Sequence, residues 1–139
     1  MNTFTWEQLK VGLTVTFDAF IDEQKMRNFR EITGDINPLH NDDNFAKRKG
    51  YPGKVCFGML SASLLSTLAG VYLPGENSLI QEVNVKFLRP VFVGDSLTVF
   101  GEIYELNDTV RQIVIKIMIR NKKGEKVLRG KMKVGLLDG

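Results

Sequence analysis

The chain has 139 residues, with 19 Lys+Arg against 16 Asp+Glu for a formal net charge of +3, and only one Cys and one His. That is the length of one domain, able to bury a core without disulfides or metal, and 43% hydrophobic with 25% charged residues is too apolar for disorder. An excess of three positive charges is a weak field for nucleic acid, and a lone His with a lone Cys is too small a ligand set for a metal, so neither is expected as a partner.

The first twenty residues lack the basic start, apolar middle and small-residue cleavage site of a secretory signal, which predicts a cytoplasmic protein. Thr5-Trp6-Glu7-Gln8 fits a capping box opening a short helix that Gly12 stops. Val15, Phe17, Ala19 and Ile21 then alternate with Thr16, Asp18 and Phe20 at the two-residue period of a strand. Asp22 can cap a helix with Met26, Phe29, Arg30 and Ile32 at helical spacings, ended by Gly34. Residues 34–41 read as a loop, because Pro38 cannot continue a helix and pushes Asn37 towards an extended conformation. Asp42 caps one more short helix ending at Gly50.

Residues 55–75 contain no charge and are long enough to span a bilayer. Ser61, Ser63, Ser66, Thr67, Gly58 and Gly70 dilute the run and Pro74-Gly75 ends it, so it reads as a helix over 58–72 buried in the core, with no membrane contact. Four alternating segments follow. Val83, Val85 and Phe87 mark the first, residues 97–106 the second, Ile113, Ile115, Ile117 and Ile119 the third, and Leu128, Met132 and Val134 the fourth. The turns between them are Pro90 to Asp95, Asn107-Asp108 and Asn121-Lys122-Lys123-Gly124, and strands joined by short turns pair antiparallel. The sum is an α+β architecture: one antiparallel sheet curled around a central helix, with residues 1–139 as a single domain. A curled sheet of about five strands has open edges, so a dimer is expected.

Chemistry concentrates in Thr33-Gly34-Asp35-Ile36-Asn37-Pro38-Leu39-His40-Asn41. On a helix Asp35 and His40 would point about 140° apart, whereas a loop bent at Asn37-Pro38 can converge them on one water and move protons in both directions. Asp-x-Asn-Pro is also good turn chemistry by itself, so the residues alone leave a structural reading of Asp35 and His40 open. Cys56 has two readings as well, a thiol nucleophile activated by His40 or a small buried residue.

The run Phe29-x2-Ile32-Thr33-Gly34-Asp35-x-Asn37-Pro38-Leu39-His40-x5-Ala46 resembles the hydratase motif of the MaoC-like family, the (R)-specific enoyl-CoA hydratases and dehydratases with a hotdog fold. The likeness extends to Leu9-Lys10-Val11-Gly12, to Gly58-Met59-Leu60, and to Phe87-Leu88-Arg89-Pro90-Val91-Phe92-Val93-Gly94-Asp95. It implies a hotdog domain without cofactor that reversibly hydrates trans-2-enoyl-CoA to (R)-3-hydroxyacyl-CoA. Asp35 and His40 would be the catalytic pair, Asn37 would support the loop, and Gly58 would offer its N–H to the thioester oxygen. Ser66 matches a serine that often faces the family's site; its alternative is a core serine bonded back to the carbonyl four residues earlier. Phe57 departs from the family, many of whose members have His before the glycine.

The implied partner is an acyl-CoA or acyl-carrier-protein thioester. Its phosphates have no Gly-rich loop to meet, only scattered cations; Lys86, Arg89 and Lys131 read either as such contacts or as solvated strand faces, while Ala62, Ala69 and Gly70 leave room beside the helix for an acyl chain. A hotdog thioesterase and a non-catalytic acyl-thioester binding module are the competing functions.

Overall fold

The structure, a computed structural model, describes residues 1–138. A short helical turn at Trp6–Gln8 leads into β1 (Thr14–Phe20), followed by α1 (Glu23–Thr33), α2 (Pro38–Asn41), α3 (Asp43–Arg48) and α4 (Gly58–Thr67). A wide turn at Leu68–Tyr72 extends α4 before β2 (Ser78–Phe87), β3 (Ser96–Asn107), β4 (Gln112–Asn121) and β5 (Lys126–Leu136). All five strands form one antiparallel sheet in the order β1-β3-β4-β5-β2.

The local signals work as chemistry dictates. Asp22 accepts from the Lys25 N–H at 2.8 Å to start α1, and Gly34 ends it in the left-handed region at φ 72°. Ile113, Ile115, Ile117 and Ile119 are buried along one face of β4, opposite Val134, Met132, Gly130 and Leu128 of β5. Leu60 and Leu65 of α4, with Leu68 and Ala69 of the turn that extends it, pack down onto that face, and the core is continuous between helix and sheet. Glycines set the close approaches. A Cβ on Gly101 would lie 3.0 Å from the Leu68 side chain, which would have to give way, and one on Gly130 would lie 2.1 Å from the Asn84 carbonyl, so the β5–β2 backbones come nearer than any side chain allows.

Two expectations need correction. Residues 34–41 are not all loop: Pro38 opens α2, because a proline at the first helical position loses an N–H that had no partner there and supplies the right φ. And β2 does not pair with β3 through the turn at 90–95. Residues 88–95 cross the end of the sheet instead, and β2 pairs with β5 from Ser78↔Leu136 to Phe87↔Leu128.

The α4 helix is enclosed on only part of its circumference. Met59, Ser63 and Ser66 form an exposed stripe, and nearly all of β2 is also exposed, including Leu79, Ile80 and Val83. Among the described residues no helix is long and apolar enough to cross a membrane.

Candidate active site

The site is assembled from α2, the segment before α4 and the end of β2. Asn37 caps α2, its Oδ1 accepting from the Leu39 N–H at 2.9 Å. The Asp35 Oδ1 accepts from the Asn37 N–H at 3.0 Å, and the Thr33 hydroxyl accepts from the Asp35 N–H at 3.1 Å. Asn41 closes the turn from the other side, its Nδ2 donating to the carbonyls of Asn37 (2.8 Å) and Asp35 (3.3 Å). Consecutive side-chain-to-backbone bonds of this kind hold a short irregular stretch in one conformation.

A second set of bonds fixes the imidazole. The Val55 N–H donates to the Leu39 carbonyl at 3.1 Å, and His40 Nδ1 lies 2.7 Å from the Val55 carbonyl. A carbonyl can only accept, so Nδ1 carries the hydrogen and the neutral ring offers the lone pair of Nε2. The ring rests on Phe57 at a centroid distance of 4.6 Å, and Phe57 in turn packs on Phe29 at 5.0 Å.

His40 and Asp35 line one cleft of about 370 Å³ together with Thr33, Gly58, Met59 and Phe87. A second cleft of about 310 Å³ adjoins it, sharing His40, Gly58 and Phe87 and running towards Tyr51 and Arg89. Gly58 stands where the two meet, as the first residue of the 10-residue α4. The preceding Phe57 has no side-chain acceptor, so the first N–H groups of α4 and the positive end of its dipole are left uncapped beside the imidazole. A Cβ on Gly58 would come within 3.3 Å of the Phe87 ring.

Of the residues singled out in the sequence, Asp35, His40 and Gly58 thus line one cleft, and Asn37 stands outside it, bonded to Asp35 and capping α2. Ser66 lies two turns along α4, roughly 12 Å from Gly58 by helical rise, on the exposed stripe and in neither cleft. It is Ser63 whose hydroxyl bonds back into the helix, donating to the Leu60 carbonyl at 2.6 Å. Asn41, Phe87 and the Val55 carbonyl have no site role in the sequence reading, although Asn41 stands in the chemistry-bearing run and Phe87 in a segment that carries the family likeness; an Asx-type spacing to Asn37 signals the part of Asn41, whereas the contacts of Phe87 and Val55 are long-range and leave no local mark. Cys56 is buried, and burial pushes its thiol up to about 11, which leaves it protonated and unreactive near neutral pH. Arg89 pairs with Glu125 at 3.3 Å. Among the described residues no three His, Cys, Asp or Glu side chains gather as a metal site would need.

A five-stranded antiparallel sheet curled around one central helix, with the candidate groups at the helix start, is a hotdog domain. The family model described as MaoC like domain matches residues 7–125, and the chain belongs to that MaoC-like dehydratase family. It is 36% identical to the 3-hydroxybutyryl-CoA dehydratase of Methylorubrum extorquens over 106 residues, 76% of this chain and 68% of that protein. It is 34% identical to the (R)-specific enoyl-CoA hydratase of Aeromonas caviae, over 73% of this chain and 76% of that protein. Among solved structures, the unliganded R-hydratase PhaJ1 from Pseudomonas aeruginosa superposes with a TM-score of 0.91 at 27% identity, covering 96% of this chain and 86% of that one. The (R)-hydratase from A. caviae superposes at 0.90 with 31% identity, covering 94% and 98%.

Proposed function

We propose that the protein reversibly hydrates trans-2-enoyl-CoA to (R)-3-hydroxyacyl-CoA, with residues 1–139 acting as one MaoC-like unit in the cytoplasm. The observation that carries this reading is the tethered imidazole. With Nδ1–H committed to the Val55 carbonyl, Nε2 is a fixed base in a cleft that also holds the Asp35 carboxylate and the uncapped start of α4. The relatives' activities support the substrate class and the configuration of the product.

In this mechanism Asp35 and His40 hold the attacking water. One proton leaves it for the base as its oxygen bonds to the β-carbon, and the π electrons move to make an enolate. The enolate oxygen is received by the N–H of Gly58 and the dipole of α4, and the proton is then returned to the α-carbon. The sum is addition of one water across the double bond. Asn37 keeps Asp35 and His40 in register by capping α2.

The same proposal includes a homodimer. The exposed stripe of α4 and the open β2 edge, with Met59, Leu79, Ile80 and Val83 exposed among polar residues, offer a surface for a second copy, which would turn Ser66 into a lining residue of the acyl pocket. A CoA thioester is preferred over a carrier-protein thioester because the dehydratase of M. extorquens and the hydratase of A. caviae, at 36% and 34% identity, are named for CoA substrates.

The test is incubation with crotonyl-CoA, following the conjugated enoyl absorbance, free thiol and the configuration of the product, with sedimentation to give the mass of the active species. Loss of absorbance without thiol and an (R)-3-hydroxy product is expected from a dimer. Release of thiol would instead make the protein a thioesterase, and binding without turnover an acyl-thioester binding module.

A further inference from the structure

The outward face of the sheet carries a groove of about 620 Å³, on the side away from α4, whose charge pattern the hydratase reading does not use. Five basic side chains line it against two carboxylates, Glu82 and Glu102, and one of these is spent in the Lys133–Glu82 pair at 3.1 Å. The remaining cations are arranged in like-charge pairs. Lys116 of β4 stands directly opposite Lys131 of β5, and Arg129 of β5 directly opposite Lys86 of β2. Among the described residues none of these four takes part in an ion pair. Like charges directly opposite one another across a sheet are destabilising, so each pair works against the fold that contains it.

The Lys116–Lys131 pair has compensation within the protein, since Glu102 of β3 stands directly opposite Lys116 on its other side, though without forming an ion pair, and a ring lies beneath both ammonium groups. The ammonium groups of Lys116 and Lys131 lie 4.1 and 4.5 Å from the centroid of the Tyr104 ring, which draws them together over one spot. The ring offsets repulsion but leaves both charges in place. The floor beside them is apolar, made by Phe100, Val114 and Met118. A compact polyanion with a flat or apolar body answers this arrangement. A single carboxylate would neutralise only one of the four free cations. A second copy of the same face would set cations against cations.

We propose that this groove binds a phosphorylated nucleotide of the kind coenzyme A carries, its phosphates on Lys116, Lys131, Arg129 and Lys86 and its base on the apolar floor. The choice of coenzyme A among nucleotides rests on the function proposed above. The residues flanking the groove are also neighbours of the cleft: Lys86 faces outward one residue before Phe87, which lines both parts of the active cleft.

The probe is adenosine 3′,5′-bisphosphate, titrated calorimetrically into the full chain. One site per chain is expected, with affinity falling as salt is raised, at least tenfold weaker in Lys116→Ala/Lys131→Ala and unchanged in Lys122→Ala/Lys123→Ala, which removes the same charge from the β4–β5 hairpin. Absence of binding by the wild type, equal weakening in both double variants, or binding of duplex DNA without binding of the bisphosphate would each overturn the proposal. Because no turnover is needed, failure of the groove is distinct from failure of the hydratase reading, which would show as hydration of neither crotonyl-CoA nor crotonyl-pantetheine. The two thioesters also identify the source of the nucleotide. A KM raised at least tenfold for crotonyl-CoA alone in Lys116→Ala/Lys131→Ala means the substrate's own nucleotide; loss of the titration with both KM values kept means a second coenzyme A molecule.

Discussion

Replacing His40 by Asn separates the two jobs its ring performs. The Asn Nδ2 sits near the position of the imidazole Nδ1, so it can still donate to the Val55 carbonyl now 2.7 Å from the ring, but nothing replaces Nε2. Removal of a general acid–base group costs about 10²–10⁴ in rate, equivalent to roughly 2.7–5.4 kcal/mol at 1.36 kcal/mol per factor of ten. His40→Ala should lose the same activity and in addition strand a buried carbonyl, a cost of about 1–2 kcal/mol. For a chain of this length that corresponds to a melting temperature roughly 3–10 °C below that of His40→Asn. The assay is hydration of crotonyl-CoA by both variants beside a thermal melt of each. His40→Asn retaining more than a tenth of wild-type kcat/KM would refute the assignment of Nε2 as the base. Equal melting temperatures for the two variants would refute the tether to Val55.

Three further outcomes are expected. Cys56→Ala should keep full activity. The raised thiol pKa means the folded state holds its proton where the unfolded chain loses it, so the stability contribution is complete below pH 9, the unfolded value, and is lost as pH rises towards about 11. The gap in denaturation midpoint between wild type and Cys56→Ala should therefore shift steadily across that window, and a gap independent of pH would contradict the burial of the thiol. Gly58→Ala should lower kcat/KM about 100-fold by displacing the substrate, since misplacement of about 1 Å costs this much, while leaving the melting temperature nearly unchanged because Phe87 is 52% exposed and can turn aside. Gly130→Ala should cost about 3 kcal/mol, as overpacking does, because its Cβ meets backbone at Asn84 and Val85; a chemical denaturation curve measures this, and a loss under 1 kcal/mol would mean the β2–β5 contact is looser than described.

Much of this architecture was legible one residue at a time. The isoleucines of β4 point inward because a strand alternates, and Asp22 and Gly34 bound α1 because each satisfies orphan groups at a helix end. Pro38 misled because the same ring that breaks a helix interior favours a helix start, and which applies depends on whether Asn37 turns its side chain to the Leu39 N–H. The partner of β2 was hidden for a different reason. Val83, Val85 and Phe87 show that a strand exists, yet pairing with β5 rather than β3 is decided by how the whole sheet closes around α4. The Asp35–His40 neighbourhood came from motif and loop chemistry together, while the Val55 carbonyl that fixes the imidazole could not be found, since any residue offers a carbonyl and only the fold chooses which.

The crossing of residues 88–95 also bears on how the chain acquires its shape in time. The β3, β4 and β5 strands are consecutive hairpins whose contacts close short loops, but Ser78 of β2 must find Leu136, across most of the second half of the chain. Closing a longer loop carries a larger entropic cost and is repaid only after its template exists, so β2 should dock after these hairpins, onto a finished three-stranded meander, as should β1, whose pairing with β3 from Thr14↔Glu102 to Phe20↔Ser96 closes a longer loop still. Phe87 arrives with β2, and both clefts around His40 and Gly58 include that ring. During refolding, burial of the β4 amides in pulsed hydrogen exchange should precede that of β2, and catalytic competence should follow the slower event rather than the collapse of the core.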